Sequence, residues 1–443
     1  MVPPHEVLVD ELAELIAIPS VSADAAHADD VRRAADWVVV RIEGAGGAAE
    51  IQERGGRPLV IGQVPASTDG APTVLVYAHL DVQPPDPLEL WESDPWQLVA
   101  RDGLLVARGV ADDKAHLFML LKATEILATA GELPVTVRFA IDAEEEVGGH
   151  SVIDWVTEDQ GPADVALVLD GGYVTETLPG LTIALRGLCY FHVTVRTGER
   201  DLHSGVYGGA ALTATHALTQ ILSSVLPGPD GRLPEPLRAG IIAPSDAEVA
   251  AWAALPDGET ELAVDEARPV DARAAEEFHR RTTAEPSVTV HGFEGGSPRL
   301  QKTVLPVEAQ ANVSIRLAPG QSTAEVGPVF ERLLRDAAPE GASVEVELWS
   351  TGEPGYVDPE TPAVKLAQDA FEHVTGTRPL LVRSGGSIPV VAALGERGVP
   401  AIVTGFARPT AKLHSPNENF PAAALRQGLE TTVELLRRFA QLG

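Results

Sequence analysis

The segments TVLVYAHLD (73–81), VRFAIDAEEEVGG (137–149) and ADVALVLDGG (163–172) decide the fold, because each is an apolar, strand-like run that ends in ionisable side chains. Apolar residues at helical spacing occupy the stretches near 115–130 and 150–158. Strands that alternate with helices in this way are typical of parallel sheets. The sequence therefore predicts an α/β fold with a mostly parallel sheet and helices on both of its faces.

The sequence pattern changes after about residue 183 and changes back near residue 352. LTIALRGLCYFHVTVRT (181–197) is one long run of strand formers, which suits an exposed antiparallel sheet better than a buried parallel one. A helical stretch and further strand-like segments follow at 211–226, 286–291, 304–317 and 342–348. We therefore predict a discontinuous α/β domain formed by residues 1–183 and 351–443, with an α+β domain inserted at residues 184–350.

Five candidate metal ligands follow apolar runs or lie in polar loops: His79, Asp112, Glu146, Asp170 and His414. Ligands in parallel α/β folds bind outside the carboxyl ends of the strands, where several of these residues are expected. Imidazole nitrogen favours zinc, manganese or cobalt over calcium. Two histidines and three carboxylates are too many for one tetrahedral ion. They suit two divalent ions that share a carboxylate, so the sequence predicts a dinuclear metal site.

The overall charge and the cysteine usage exclude several classes of protein. With 64 acidic against 33 basic residues, the net charge of −31 argues against nucleic acid and anionic membranes as partners. The single cysteine, Cys189, excludes an intramolecular disulfide and indicates a reducing compartment. The first residues lack the features of a signal peptide, so we expect a cytoplasmic protein.

Each motif also has an ordinary explanation when it is taken alone. The three glutamates at 144–146 fit a solvated acidic turn, and Asp112 with Asp113 fits a plain turn. A lone histidine such as His79 or His414 is usually structural. The joint occurrence of all these residues favours a metal site over the separate explanations.

The ordered set HLD, GVADDK, EEEVGG, LDGG and HSPNE resembles the M20 metallopeptidases, and most closely the dipeptidase branch with carnosine dipeptidases and PepV-like enzymes. The segments DLHSGVYGG (201–209), KTVLP (302–306), SIRLAP (314–319) and GGSIP (385–389) are also similar to that branch. The resemblance therefore covers nearly the whole chain, including the inserted domain.

The resemblance implies a role for each candidate metal ligand. Asp112 would bridge the two ions, His79 and Asp170 would complete the ligands of one ion, and Glu146 and His414 those of the other. An aspartate at position 170 resembles the dipeptidase and aminopeptidase branches, whereas the carboxypeptidase and desuccinylase branches usually have glutamate.

The resemblance also implies catalytic and substrate-binding residues. Asp81 would orient the His79 imidazole, and Glu145 would act as the general base that takes a proton from water. His203 would donate to the developing oxyanion, and Arg316 would bind the free carboxylate of a dipeptide. In full, the expected substrate-binding residues are His203, Thr303, Arg316 and Ser387.

We therefore expect a homodimeric metallopeptidase that cleaves dipeptides or short peptides with two divalent ions, Zn²⁺ first and Mn²⁺ or Co²⁺ as alternatives. The inserted domain would form a lid and dimerisation domain on the catalytic domain. An N-acyl-amino-acid amidohydrolase or a carboxypeptidase on the same scaffold is the alternative enzyme. A metal- or peptide-binding scaffold without turnover is the alternative outside catalysis, although binding alone has no need of Glu145.

Overall fold

The structure is a computed structural model that describes residues 2–264 and 266–442. Its strands are β1 (Ala48–Arg54), β2 (Arg57–Val64), β3 (Thr73–His79), β4 (Val99–Arg101), β5 (Leu104–Val106), β6 (Thr136–Asp142), β7 (Val165–Val168), β8 (Gly180–Leu185), β9 (Gly187–Arg196), β10 (Leu202–His203), β11 (Ser287–Gly295), β12 (Val304–Leu305), β13 (Glu308–Leu317), β14 (Ser343–Gly352), β15 (Gly355–Tyr356), β16 (Leu380–Ser384), β17 (Ala401–Val403) and β18 (Asn419–Pro421).

The α-helices are α1 (His5–Ile16), α2 (Ala28–Gly44), α3 (Ala115–Thr129), α4 (Ser151–Glu158), α5 (Ser204–Tyr207), α6 (Ala214–Ser223), α7 (Asp246–Ala251), α8 (Gly258–Val264), α9 (Thr323–Asp336), α10 (Pro362–Thr375), α11 (Pro389–Glu396) and α12 (Ala422–Phe439). Within the described parts of the chain, every helix is too short or too polar to span a lipid bilayer.

The chain divides into two compact units. The first unit comprises Met1–Ile183, Val357–Val382 and Ala393–Gly443, and the second comprises Ala184–Tyr356 and Arg383–Ala392. The second unit thus extends beyond the predicted insertion of 184–350. One reason is that β14 continues to Gly352, which still pairs with Leu188 of β9. Another is that the Arg383 guanidinium donates to the Glu248 carboxylate, at 2.7 Å.

The first unit is built on a sheet with the strand order β1-β2-β6-β3-β7-β17-β8. Its central strands β6, β3, β7 and β17 run parallel, and the neighbouring β2 and β8 run antiparallel to them. Every residue of β3 is buried, as expected for a strand inside such a sheet. The α/β class with a mostly parallel central sheet is therefore confirmed.

The register of the parallel strands decides which residues meet at the edge of the sheet. His79, at the end of β3, lies opposite Asp142, at the end of β6. Tyr77 lies opposite Val168, at the end of β7. The segments that follow β6 and β7 therefore emerge at the same edge as His79, because the carboxyl ends of parallel strands coincide.

The second unit contains a four-stranded antiparallel sheet with the order β11-β13-β9-β14. Residues of β9 alternate between buried and more exposed, so one face of the sheet is covered. Helices α6 and α9 pack there, and Cys189, Phe191 and Phe330 lie in the resulting core. Burial, together with the nearby Glu353, raises the pKa of the Cys189 thiol to about 12, so Cys189 is a small buried apolar residue.

The predicted strand at 181–197 is wrong in one respect, because it is divided into β8 and β9. The chain turns from one sheet to the other at Arg186 and Gly187. A Cβ atom at Gly187 would lie 2.6 Å from the Gly352 carbonyl oxygen, so the close approach of these backbones requires glycine. The predicted strand at 304–317 is likewise divided, into β12 and β13.

Candidate metal centre

His79 is completely buried, and both of its ring nitrogens face acidic groups. Its Nδ1 lies 3.1 Å from the carbonyl oxygen of Asp81 and 3.5 Å from the Oδ1 atom of that residue. Its Nε2 lies 3.0 Å from Asp112 Oδ1. With acceptors at Nδ1, the neutral ring carries its proton there, and its Nε2 lone pair faces a carboxylate oxygen. Two such acceptors at this distance require a proton or a cation between them.

Asp112 places its two carboxylate oxygens against two different imidazoles. Oδ1 faces His79, whereas Oδ2 lies 2.9 Å from His414 Nε2. The residue belongs to the turn Val110–Lys114 but has non-helical backbone angles, with φ −133° and ψ 89°. One carboxylate between two imidazoles is the arrangement that a shared ligand of two ions requires.

Glu418 holds the backbone of this turn, and sequence reasoning had assigned it no role. Its side chain is completely buried, and it accepts four hydrogen bonds. Oε1 accepts from the N–H groups of Ala111 (2.8 Å) and Asp112 (3.1 Å). Oε2 accepts from Gly109 N–H (2.9 Å) and from the Arg108 guanidinium (2.6 Å). Glu418 therefore fixes the position of Asp112 through the main chain.

Glu145 and Glu146 lie in a short 3-10 turn, Glu145–Val147, just after β6. The Glu146 N–H donates to Asp81 Oδ2 at 3.2 Å, and Gln83 Nε2 donates to Glu146 Oε2 at 2.8 Å. The same Oε2 lies 3.3 Å from His414 Nε2. One ligand atom each from His79, Asp112 and Glu146 lies within 4.8 Å of the others. Asp81 and Gln83 thus orient Glu146 toward the two histidines.

Asp170 follows β7, where two segments of main chain cross at glycines. Asp112 and Asp170 line one cavity of about 200 Å³. A Cβ atom at Gly405 would lie 1.9 Å from the Gly171 carbonyl oxygen, and a Cβ atom at Gly172 would lie 2.7 Å from the Ala407 carbonyl oxygen. The two glycines after Asp170 therefore permit the segment that follows β7 to contact the segment that follows β17. This contact holds the main chain next to Asp170 and so fixes the position of its carboxylate.

The carboxyl groups of the centre are buried, and too few positive charges lie near them to balance their negative charge. Burial, and then the nearby Asp112 carboxylate, raise the pKa of Glu146 to about 7, although two histidines oppose this. Burial also raises the pKa values of Glu145 and Asp170. For Asp112 the effect of burial is outweighed by the interactions with His414 and His79, which lower its pKa. Added positive charge would relieve all of the raised values.

These observations test whether the residues fit divalent metal ions. The donor set is two imidazoles and three carboxylates, namely His79, Asp112, Glu146, Asp170 and His414. The acceptor atoms approach one another at distances that only a proton or a cation bridges, and the acidic groups lack compensating charge. Nitrogen and oxygen donors of this kind suit Zn²⁺, Mn²⁺ or Co²⁺. The residues therefore fit the implied ions.

The predicted substrate-binding residues all belong to the second unit, whereas the candidate ligands, Asp81 and Glu145 belong to the first. His203 is exposed at the end of β10, and its Nδ1 accepts from Gly205 N–H at 3.0 Å. The neutral ring therefore carries its proton on Nε2, which leaves that N–H as a donor. Arg316 lies on β13, Thr303 precedes β12, and Ser387 lies between β16 and α11.

Two buried residues complete the surroundings of the centre without having been predicted. The side chain of Asp113 accepts from His79 N–H at 3.4 Å and lies 2.8 Å from His116 Nδ1. His116 Nε2 accepts from Phe406 N–H at 2.9 Å, in the segment that follows β17. Asp113 belongs to the motif GVADDKAH, which the sequence analysis identified. The residues around it in the sequence do not indicate that its carboxylate accepts a hydrogen bond from the main chain at His79.

Known proteins are similar to this chain over most of its length. The model of peptidase family M20/M25/M40 matches residues 75–438. The cysteinylglycine-S-conjugate dipeptidase of Corynebacterium striatum is 33% identical over 437 residues, which cover 95% of this chain and 92% of that protein. The Cys-Gly metallodipeptidase dug1 of Schizosaccharomyces pombe is 29% identical, with coverage of 88% and 86%.

A solved structure with a closely similar fold is that of an M20 family metallo-carboxypeptidase from Sulfolobus solfataricus. Its TM-score is 0.84 at 24% sequence identity, and the alignment covers 98% of this chain and 99% of that one. At this level of identity the likeness shows the fold alone.

Proposed function

The chain belongs to peptidase family M20/M25/M40, and from this premise we propose that it is a metal-dependent dipeptidase. Two relatives that are named as dipeptidases align with 95% and 88% of this chain. The observation that carries the proposal is the Asp112 carboxylate between two imidazoles, with Glu145 and Glu146 beside it. Such a centre suits hydrolysis of an amide bond, because it combines metal ligands with a separate carboxylate that can move a proton.

In the proposed mechanism, the five candidate ligands would hold two divalent ions, and Glu145 moves the proton. The bound ions would supply Lewis acidity, which lowers the pKa of water toward neutrality and stabilises negative charge on a carbonyl oxygen. Glu145 takes the proton from the attacking water and later gives it to the leaving amine. Glu145 is not one of the five ligands, so its carboxylate would remain free to accept and return that proton.

The substrate contacts come from the second unit in this proposal. The Nε2–H of His203 donates to the carbonyl oxygen as negative charge develops on it. The Arg316 guanidinium binds the free carboxylate of the dipeptide with two parallel hydrogen bonds. Thr303 and Ser387 add polar contacts. We propose Zn²⁺ as the bound ion and a homodimer as the assembly. We also propose that the protein is cytoplasmic, because the single cysteine indicates a reducing compartment.

A panel of substrates tests this function directly. Purified protein with added Zn²⁺ or Mn²⁺ should hydrolyse unmodified dipeptides. It should be much slower on N-acyl amino acids and on longer peptides trimmed from the C-terminus. Faster turnover of N-acyl amino acids would identify an amidohydrolase instead, and stepwise trimming of longer peptides would identify a carboxypeptidase. Metal binding without turnover of any of these substrates would favour the alternative that the protein binds metal or peptide but is not an enzyme.

Dipeptides with an amidated C-terminus test the role of Arg316. We expect Arg316→Gln to raise the KM for free dipeptides by about 10- to 100-fold, as for the loss of hydrogen bonds to a charged group. The same variant should leave the slow cleavage of amidated dipeptides unchanged, because they lack the carboxylate. Arg332→Gln is the matched control, since Arg332 is an exposed arginine of the same unit. Equal effects on both kinds of substrate would contradict this role.

Mixed subunits test whether His203 acts in its own chain or in a partner. Inactive Glu145→Gln chains are combined with inactive His203→Ala chains under conditions that exchange subunits. If His203 serves the partner's site, one site in each mixed dimer is intact and activity returns. If no activity returns although mixed dimers form, His203 acts within its own chain.

A further inference from the structure

The second unit contains a cavity of about 360 Å³ that the proposed activity does not use. It is lined by Arg186 and by residues between 227 and 288. Five of the 18 residues that line it are arginines, and Glu285 is the one acid among them. The arginines are Arg186, Arg232, Arg238, Arg268 and Arg281. In a chain with 64 acidic and 33 basic residues, this excess of positive charge is opposite to that of the whole protein.

One of these arginines is already neutralised. Arg281 contacts Asp271 through Nη1 at 2.6 Å and Glu277 through Nη2 at 2.6 Å. Two carboxylates thus match its charge and hold its guanidinium in place. Arg281 is therefore part of the cavity wall rather than a group in need of a further anion.

The other four arginines have no carboxylate within ion-pair distance among the described residues. Arg186 illustrates the consequence, because its Nε donates to the Gly385 carbonyl oxygen (3.1 Å) and its Nη1 to the Ser287 hydroxyl (3.0 Å). Both acceptors are neutral. Burial, and then the nearby Arg316, lower the pKa of Arg186 to about 10. Its charge is therefore costly where it lies, and an anion would offset that cost.

Most of the other residues that line the cavity are apolar. Leu233 is buried, Phe278 and Val288 are half-buried, and proline side chains add further hydrophobic surface. A ligand held by the arginines would therefore also contact an apolar surface. The volume of about 360 Å³ lies within the range of roughly 300–1,000 Å³ that is typical of small-molecule sites.

We propose that this cavity binds a small organic anion, whose carboxylate or phosphate group is held by Arg232, Arg238 and Arg186 and whose apolar body packs on Leu233 and Phe278. Guanidinium groups bind either kind of anion with paired hydrogen bonds. The residues that line the cavity include none of the five candidate metal ligands and none of the predicted substrate-binding residues. The proposal goes beyond the dipeptidase activity and does not depend on it.

Calorimetric titration of the full-length protein tests the site with three probes of similar size. Phenyl phosphate and 3-phenylpropionate carry the two kinds of head group, and benzyl alcohol is the neutral control. We expect saturable binding of one anion per chain and none of the alcohol. The titrations are made on metal-free and on Zn²⁺-loaded protein, since phosphate that binds only to the metal centre would disappear without the metal. Absence of saturable binding by both anions to the metal-free protein would overturn the proposal.

A charge-matched pair of variants locates the bound anion. Arg232→Gln/Arg238→Gln should weaken binding by about 10- to 100-fold, which is typical when hydrogen bonds to charged groups are lost. The control Arg332→Gln/Arg335→Gln removes the same charge from α9, outside the cavity, and should bind as the wild type does. Equal affinity of both double variants and the wild type would place the anion elsewhere.

Chemical protection provides the same information without any substitution. Phenylglyoxal at low conversion modifies accessible arginines, and peptide mass analysis reports each position. Bound phenyl phosphate or 3-phenylpropionate should slow the modification of Arg232 and Arg238 but leave Arg332 unaffected. Unchanged modification of all three at a saturating concentration of anion would refute the cavity as the binding site.

Discussion

Gly405→Ala should disturb the metal centre although Gly405 carries no functional side chain. The added Cβ atom would lie 1.9 Å from the Gly171 carbonyl oxygen and 2.4 Å from its carbonyl carbon, whereas ordinary contacts begin at 3.4 Å. Both atoms belong to the main chain and cannot rotate away. The two crossing segments must therefore separate by about 1.5 Å, since a packed interior has no empty space to absorb the methyl group.

The displacement reaches the metal centre because Asp170 immediately precedes Gly171. Misplacement of a catalytic group by about 1 Å costs about 10²-fold in rate, so we expect kcat/KM to fall by at least that factor. The overpacked crossing should also lower the free energy of unfolding by about 1–3 kcal/mol. Metal affinity should fall as well, because Asp170 would no longer reach its ion.

Gly395→Ala is the matched control for this experiment. Gly395 is exposed near the end of α11, in the part of that helix that belongs to the first unit, and an added Cβ atom would meet nothing within 4 Å. We expect this variant to be as active as the wild type, and more stable by up to about 1 kcal/mol, because alanine favours helix. Metal content, kcat/KM and the urea midpoint are measured for both variants. If Gly405→Ala keeps wild-type metal content and kcat/KM, the crossing does not position Asp170.

Five further predictions concern the metal centre, the buried Glu418 and the ion pairs of Asp159. Removal of metal by a chelator should abolish activity, and addition of Zn²⁺, Mn²⁺ or Co²⁺ should restore it. Elemental analysis of the active protein should give about two ions per chain, and full activity with one ion would contradict the dinuclear site. Asp112→Ala should lose bound metal, and retention of both ions would exclude it as the shared ligand. Glu145→Gln should keep the metal but lower kcat by about 10²–10⁴-fold, and a nearly normal kcat would assign the proton transfer to another group. Glu418→Ala leaves the buried Arg108 without its carboxylate partner, so the free energy of unfolding in urea should fall by about 3–5 kcal/mol. A fall of less than about 1 kcal/mol would show that water takes the place of the carboxylate at Arg108. For Asp159 the effect of burial is outweighed by ion pairs with Arg138 and Arg397, which lower the pKa of its carboxyl group. The ionised carboxylate therefore stabilises the fold above the usual aspartate pKa, and this stabilisation is lost as the pH falls through the lowered pKa. Asp159→Asn should lower the free energy of unfolding at pH 7 and make it depend less on pH in acid, whereas parallel pH profiles of the variant and the wild type would contradict the prediction.

The α/β class, the family and the candidate metal ligands could all be predicted from the sequence. Local patterns were sufficient for this, since apolar runs that end in His79, the Glu145–Glu146 pair and Asp170 identify strands with polar carboxyl ends. The helices α3 and α4 were predicted to within about two residues at each end for the same reason, because both contain buried apolar residues at helical spacing.

Weak local signals explain which elements the sequence missed. Strand β1 is an edge strand with mostly polar residues, so it lacks a strong apolar period. In α9 the apolar residues do recur on one face, but Pro328 inside the segment weakens the prediction of a helix. The break between β8 and β9 was missed because Gly187 is required by contact with Gly352, which lies far along the chain. The assignment of residues 383–392 to the second unit likewise depends on the pairing of Arg383 with Glu248.

The residues that support the metal centre could be identified only in the folded chain. Glu418 binds the main chain at Asp112 from 306 residues away, and Gly405 touches Gly171 across two separate strands. A carboxylate in a loop and a glycine after a strand have no distinctive pattern, because their function depends on partners that folding brings close. The same is true of the arginine-lined cavity, whose residues are scattered between Arg186 and Val288. Periodicity in a sequence records the burial of one face, whereas long-range contacts between single residues leave no periodic signal.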